Sequence, residues 1–100
     1  MSTVYVDPLF KAMSPERQAR RLGSRNCHRW CHMWSDDVAS LHAMALKIGL
    51  KREWFQDRRD FPHYDLTPGR RLLALARGAV EMSLRDWIQK RRQFTAEVVP

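Results

Sequence analysis

The sequence predicts an α/β fold: a small single domain with a mostly parallel four-stranded sheet covered by three to four helices. Three observations carry this. The chain has 100 residues, near the commonest domain size. Its hydrophobic content of 44%, with four Trp and four Phe, suffices for a packed core. Short β-branched or aromatic runs alternate with stretches of helical period, the pattern of parallel strands beneath helices. Neighbouring parallel strands would then be joined by right-handed crossovers.

Each element has its own signal. Thr3 to Val6 (TVYV) is β-branched and aromatic and is stopped by Asp7-Pro8. Period two places Val4 and Val6 on one face and Tyr5 and Asp7 on the other. Ser14-Pro15-Glu16 opens a helical turn, with Ser as N-cap and Pro at the first helical position. The stretch that follows is basic, poor in apolar residues and stopped by Gly23, so 16–26 is expected as an exposed basic insert. Arg29 to Trp34 (RWCHMW) is a second strand, with Trp30, His32 and Trp34 on one face and Cys31 and Met33 on the other.

Ser35-Asp36-Asp37 caps the clearest helix, whose apolar stripe is Val38, Leu41, Ala45 and Ile48, with Lys47 in its last turn and Gly49 after its end. Glu53 to Gln56 (EWFQ) is expected as a short strand and DRRDFPHYD as a charged loop. Thr67-Pro68 starts another helix, with Leu72, Leu73, Leu75, Ala76 and Ala79 on its apolar side and Gly78 at its end. Ala79 to Met82 reads as a strand. Ser83 and Asp86 resemble a capping box before a last helix striped by Leu84, Trp87 and Ile88. Residues 94–100 read as a loose tail.

The stretches TVYVD, WCHMWSD, LHAMALKIGL, REWFQ, PHYDLTPGRR and RGAVEMS, in this order, resemble the family called Domain of Unknown Function 4031, small proteins of bacterial and phage genomes. The resemblance runs from Thr3 to about Trp87, and the HYD stretch and the LHAMA helix are its most specific parts. The polar residues it picks out are Asp7, His32, Asp36, His42, His63, Tyr64, Asp65 and Arg71. The arginine-rich stretch from Glu16 to Asn26, with Cys27 and His28, departs from the pattern. The family name assigns no activity, so the resemblance implies a fold and a residue set and no reaction.

The stretch CHRWCHMWSDD (27–37) asks for a decision between a metal site and a strand. On a strand, Cys27 and Cys31 lie about 13 Å apart at Cα. A disulfide needs less than about 7 Å, and a shared zinc needs both sulfurs about 2.3 Å from one ion. A strand excludes both, and CxxxC lacks the spacing of common zinc knuckles. The sequence therefore assigns no metal ligand and no cofactor. Two cysteines without a signal peptide point to a reducing, cytoplasmic location, and no apolar run approaches the length of a membrane span.

The candidate site is instead a pocket where strand ends and the HYD loop converge. Asp7, His32, His63 and Asp65 are its catalytic candidates. Arg70 and Arg71, with Tyr64, are its anion-binding candidates, because they stand at a helix start that offers unpaired backbone N–H groups. Each has a structural alternative. Tyr64 suits the core, Asp65 suits a turn before Thr67, and the arginines suit a solvated helix face. His42 reads as a packing histidine and Asp36 as a charge at a helix N-terminus.

The net charge is +7, and Arg17, Arg20, Arg21 and Arg25 form a polyanion patch with a second basic run at Lys90, Arg91 and Arg92. The first functional reading is binding of nucleic acid or a phosphorylated ligand. The second is a metal- or histidine-dependent phosphodiesterase or nuclease, in which Asp7, Asp65 and the two histidines hold a divalent ion or one histidine acts as general base. Asp7 after the first strand loosely resembles metal-dependent nucleases of the PIN type, whose further acids have no clear counterpart here. The third is a phage-type protein that covers an acidic partner surface through its basic insert. No Walker loop, nucleophile elbow or H-E-x-x-H motif is present.

Overall fold

The strand from Arg29 to Ser35 is covered on both sides, and the rest of the fold is arranged around it. The structure is a computed structural model, and it describes residues 2–11 and 29–98. In chain order it contains β1 (Val4–Val6), β2 (Phe10–Lys11), β3 (Arg29–Ser35), α1 (Val38–Lys47), a 3-10 turn (Arg52–Trp54), β4 (Tyr64–Leu66), α2 (Pro68–Ala76), β5 (Val80–Glu81) and α3 (Leu84–Val98). The stretch 16–26 and its four arginines lie outside the described residues, as do Cys27 and His28.

The sheet is mixed, which corrects the expectation of a mostly parallel one. β1 and β4 flank β3 on opposite edges, both antiparallel to it, and among the described residues only the β1–β5 pair is parallel. β2 also pairs antiparallel with β3 and prolongs β1 along the same edge. Between the pairs Val6↔Met33 and Phe10↔Trp30 the outer strand advances four residues and β3 advances three. One residue is therefore extra, as in a β-bulge, and it falls in the stretch that follows Asp7. Among the described residues, four lateral positions hold five strands. Alternation of strands and helices did not reveal this, because it does not fix the direction in which β1 pairs with β3.

Two further expectations change. EWFQ is not a strand: Arg52–Trp54 closes a 3-10 turn, and only Gln56 pairs, as an isolated bridge to His63. The HYD stretch is not a loop, since Tyr64–Leu66 is β4. The helix signals agree closely with the structure. Asp37 caps α1 through Ala39 and Ser40, Thr67 caps α2 with Pro at its start, and the backbone N–H of Asp86 donates to Ser83 Oγ at 3.0 Å. Gly49 and Gly78 follow α1 and α2 at φ 80° and 104°, conformations that cost a side-chain-bearing residue about 1–2 kcal/mol. α3 continues through Val98, over most of the stretch read as a tail.

The core lies on one face of the sheet. Val4, Val6, Cys31, Met33, Tyr64 and Leu66 point from the strands into Leu41, Met44, Ala45 and Ile48 of α1 and Ala74 of α2. Val38, expected in this stripe, is exposed. So are Leu72 and Leu73 of α2. The inner face of α2 is taken by Arg70, Arg71 and Ala74, at the three- and four-residue spacing that shares a helix side, and the leucines rotate outward. The opposite face of the sheet carries Tyr5, Asp7, His32, Trp34, His63 and Asp65. Trp34 there meets Phe61 at 5.5 Å and Trp87 of α3 at 5.7 Å between ring centroids.

Candidate functional site

Period-two alternation on three antiparallel strands builds a row of polar side chains across this second face. His32 stands opposite Asp65 in the β3–β4 register. Asp7 lies one residue beyond the β1 pairing, and its backbone N–H donates to the His32 carbonyl at 3.2 Å, which continues the register. Asp7, His32 and Asp65 are thus cross-strand neighbours. His63 lies two residues before Asp65, so it reaches His32 as a diagonal neighbour; the two rings meet edge to face at 5.1 Å between centroids.

Each imidazole is held from behind. The Asp7 carboxylate accepts from the His32 backbone N–H at 2.6 Å and lies 2.8 Å from His32 Nδ1. His63 Nδ1 lies 2.7 Å from the Phe61 carbonyl. A carbonyl can only accept, so Nδ1 of His63 carries the proton, and an ionised Asp7 imposes the same tautomer on His32. Nε2 of each ring is then the nitrogen without the proton. His63 Nε2 stands 3.4 Å from Asp65 Oδ1, and Asp65 Oδ2 accepts from Gln56 Nε2 at 2.6 Å. Nitrogen and oxygen atoms of His32, His63 and Asp65 lie within 4.8 Å of one another, a grouping able to hold a metal ion.

The site is mostly enclosed, and His32 is its most exposed member. The side chains of His63, Asp65 and Asp7 are 7%, 9% and 10% exposed, against 24% for His32, so solvent reaches the group past His32. Phe61 stacks on His63 at 4.6 Å and meets His32 edge-on at 5.5 Å. Trp87 extends this aromatic wall, and the Arg91 guanidinium lies over its ring at 4.7 Å. Apolar rings beside polar donors lower the local dielectric and strengthen every charge interaction there.

The two arginines hold protein groups. Arg70 donates to the Ile48 carbonyl at the end of α1. Arg71 Nε donates to the Asp7 carbonyl at 2.9 Å, and its guanidinium pairs with Glu81 at 3.0 Å. Arg71 therefore positions Asp7, while Arg70 ties α2 to α1 away from the row. Tyr64 is on the core face, 1% exposed, with its hydroxyl 2.9 Å from His42 Nδ1. Burial holds the His42 imidazole below its ordinary pKa and the Tyr64 phenol above its own. Cys31 is fully buried on that same side; burial, then the nearby Asp7 charge, push its thiol up to about 12, so it is inert at neutral pH. Asp36 is exposed beside Asp37, which does the capping.

Of the residues singled out in the sequence, the structure brings together Asp7, His32, His63 and Asp65, with Arg71 behind Asp7. They meet on a sheet face and not at the carboxyl rim of parallel strands. Tyr64 and Arg70 lie elsewhere. The sequence reading missed Gln56, Phe61 and Glu81. Gln56 was hidden inside a supposed strand, and only the register of the Gln56↔His63 bridge brings its amide to Asp65. Separately, an open cleft of about 590 Å³ is lined by Pro8, Glu81, Ser83, Asp86 and Lys90 among others; with two carboxylates in its wall it offers no anion seat.

A family model described as Protein of unknown function (DUF4031) matches residues 4–94. No curated protein and no solved structure matches the chain.

Proposed function

For a chain that belongs to the DUF4031 family, we propose that the polar face of the sheet is a hydrolytic centre for phosphodiesters, with nucleic acid as the substrate class. The observation that carries this is the row Asp7–His32–Asp65 joined by His63. It sets two oriented imidazoles beside a carboxylate, with His32 the most exposed side chain of the group. Such a corner takes a proton from a water placed against it. The resulting hydroxide attacks phosphorus, the ester P–O bond on the far side breaks, and the leaving oxygen takes a proton from solvent.

The net charge of +7 favours a polyanionic substrate. Arg58 and Arg59 are exposed in the loop that delivers Phe61, and Arg91 lies over the aromatic wall. Binding of nucleic acid, the first reading from sequence, becomes the capture step of this reaction. The test is turnover of fluorogenic single- and double-stranded oligonucleotides and of bis(p-nitrophenyl) phosphate, with Mg²⁺, Mn²⁺ or Zn²⁺ and with chelator. We expect His63→Ala and Asp65→Asn to lower the rate at least ~100-fold, and His42→Ala, on the other face, to leave it unchanged. No turnover by the folded chain under any of these conditions rejects the proposal.

A further inference from the structure

We infer that His32, His63 and Asp65 form a binding site for one divalent first-row transition-metal ion, with His32 and His63 ligating through Nε2. The inference stands on the geometry of the row, and it rests on the hydrolytic reading only for what the ion would do.

Three observations converge. First, the donor set is two imidazoles and one carboxylate within 4.8 Å of one another. Donor atoms around an ion at about 2.1 Å stand about 3.4 Å apart in a tetrahedral site. The widest pair therefore closes by at most about 1.4 Å, within reach of side-chain rotation. Second, the outer hydrogen bonds are those a metal site uses. Ligating histidines give their other ring N–H to a carboxylate or a backbone carbonyl, which fixes the ring and its tautomer. Here Asp7 stands behind His32 at 2.8 Å, the Phe61 carbonyl stands behind His63 at 2.7 Å, and Gln56 holds the far oxygen of Asp65 at 2.6 Å.

Third, the donors face one another: His63 Nε2 stands 3.4 Å from Asp65 Oδ1, and the His32 ring lies 5.1 Å from that of His63.

The ligand types select the metal. Imidazole nitrogen suits Zn²⁺, Cu²⁺, Fe²⁺ and Ni²⁺, whereas Mg²⁺ and Ca²⁺ prefer all-oxygen sites. Three protein ligands, with His32 the most exposed of them, leave a coordination position for water or a phosphoryl oxygen. In the hydrolytic reading, the ion would lower the pKa of the attacking water.

The experiment is calorimetric titration of the metal-free full-length chain with Zn²⁺, Mn²⁺ and Mg²⁺, followed by Co²⁺ absorption spectra as a report of coordination. We expect one Zn²⁺ per chain, with Mg²⁺ bound at least ~100-fold more weakly. His63→Ala and the double variant His32→Ala/His63→Ala should weaken Zn²⁺ at least ~100-fold, and Asp7→Asn and Gln56→Ala by about 10–100-fold. His42→Ala should not change it, and circular dichroism of each variant tests the fold. Gln56→Ala, which removes no ligand and little buried surface, keeps the test alive if the histidine variants unfold. The inference is overturned if the folded wild type binds no transition metal. It is also overturned if Zn²⁺ binding survives the double variant and is instead lost in Cys27→Ser/His28→Ala. Stoichiometric binding without turnover would reject the hydrolytic reading alone, and turnover in chelator without metal binding would reject the metal site alone.

Discussion

His42 and His32 show how position on a sheet or helix sets what an imidazole does. His42 sits on α1 over the core, 2.9 Å from the Tyr64 hydroxyl and edge-on to Phe55 at 4.6 Å. Burial, and then the nearby Arg52 charge, hold its folded pKa below the usual value. Below that ordinary pKa of about 6.5 the unfolded chain binds more protons than the folded one at this position. Stability from His42 is then fully present above that pH and declines as pH falls through the lowered folded value. Urea unfolding at pH 5.5, 6.5 and 8 checks this: the wild type should lose more stability toward pH 5.5 than His42→Gln does. Equal losses would remove His42 as the cause. The sequence already separated these histidines, because period two gave His32 a face with Trp30 and Trp34 while helical spacing gave His42 the core side. It did not show that Asp65 would stand opposite His32. Partners across strands are fixed by register, and register depends on contacts far apart in the chain.

At the scale of elements, local chemistry was legible and strand order was not. Asp37, Thr67 and Ser83 cap helices where the sequence placed starts, and Gly49 and Gly78 end helices where it placed stops. β4 was missed because three residues after Pro62, one of them Asp65, give no alternation long enough to read. EWFQ was misread because aromatic residues suit a 3-10 turn packed beside the core as well as a strand. The two glycines also differ in a way that only packing reveals. A Cβ on Gly78 meets nothing within 4 Å, whereas one on Gly49 would stand 2.6 Å from Arg70 Nη1. Gly78→Ala should cost about 1 kcal/mol from backbone strain alone. Gly49→Ala should cost at least about 1 kcal/mol more, since it also displaces the guanidinium that caps the Ile48 carbonyl. In an Arg70→Ala background that excess should vanish, and a double-mutant cycle by chemical unfolding measures it. An excess that persists without Arg70 would show that this arginine does not close the end of α1.

At the scale of the whole molecule, the sheet divides labour between its faces. One face is apolar and sealed by α1 and α2; the other carries the polar row beneath aromatic rings, on a chain of net charge +7. No helix among the described residues is long and apolar enough to cross a membrane. Long-range charge and local chemistry are therefore separable. A basic chain that captures a polyanion releases counterions, and the logarithm of its affinity falls with the logarithm of salt by about 0.7 for each single-strand phosphate neutralised. With four such contacts, raising salt from about 50 to about 200 mM weakens binding about 50-fold. Fluorescence anisotropy on a labelled single-stranded oligonucleotide should show that slope. Asp65→Asn and His63→Ala should leave it unaltered, because neither removes a permanent positive charge. Deleting 16–26, which takes out Arg17, Arg20, Arg21 and Arg25, should flatten it. Binding that ignores salt, or is absent at low salt, would retire nucleic acid as the substrate class and leave the polar row to serve a small phosphodiester, since its hydrogen bonds owe nothing to the molecule's net charge.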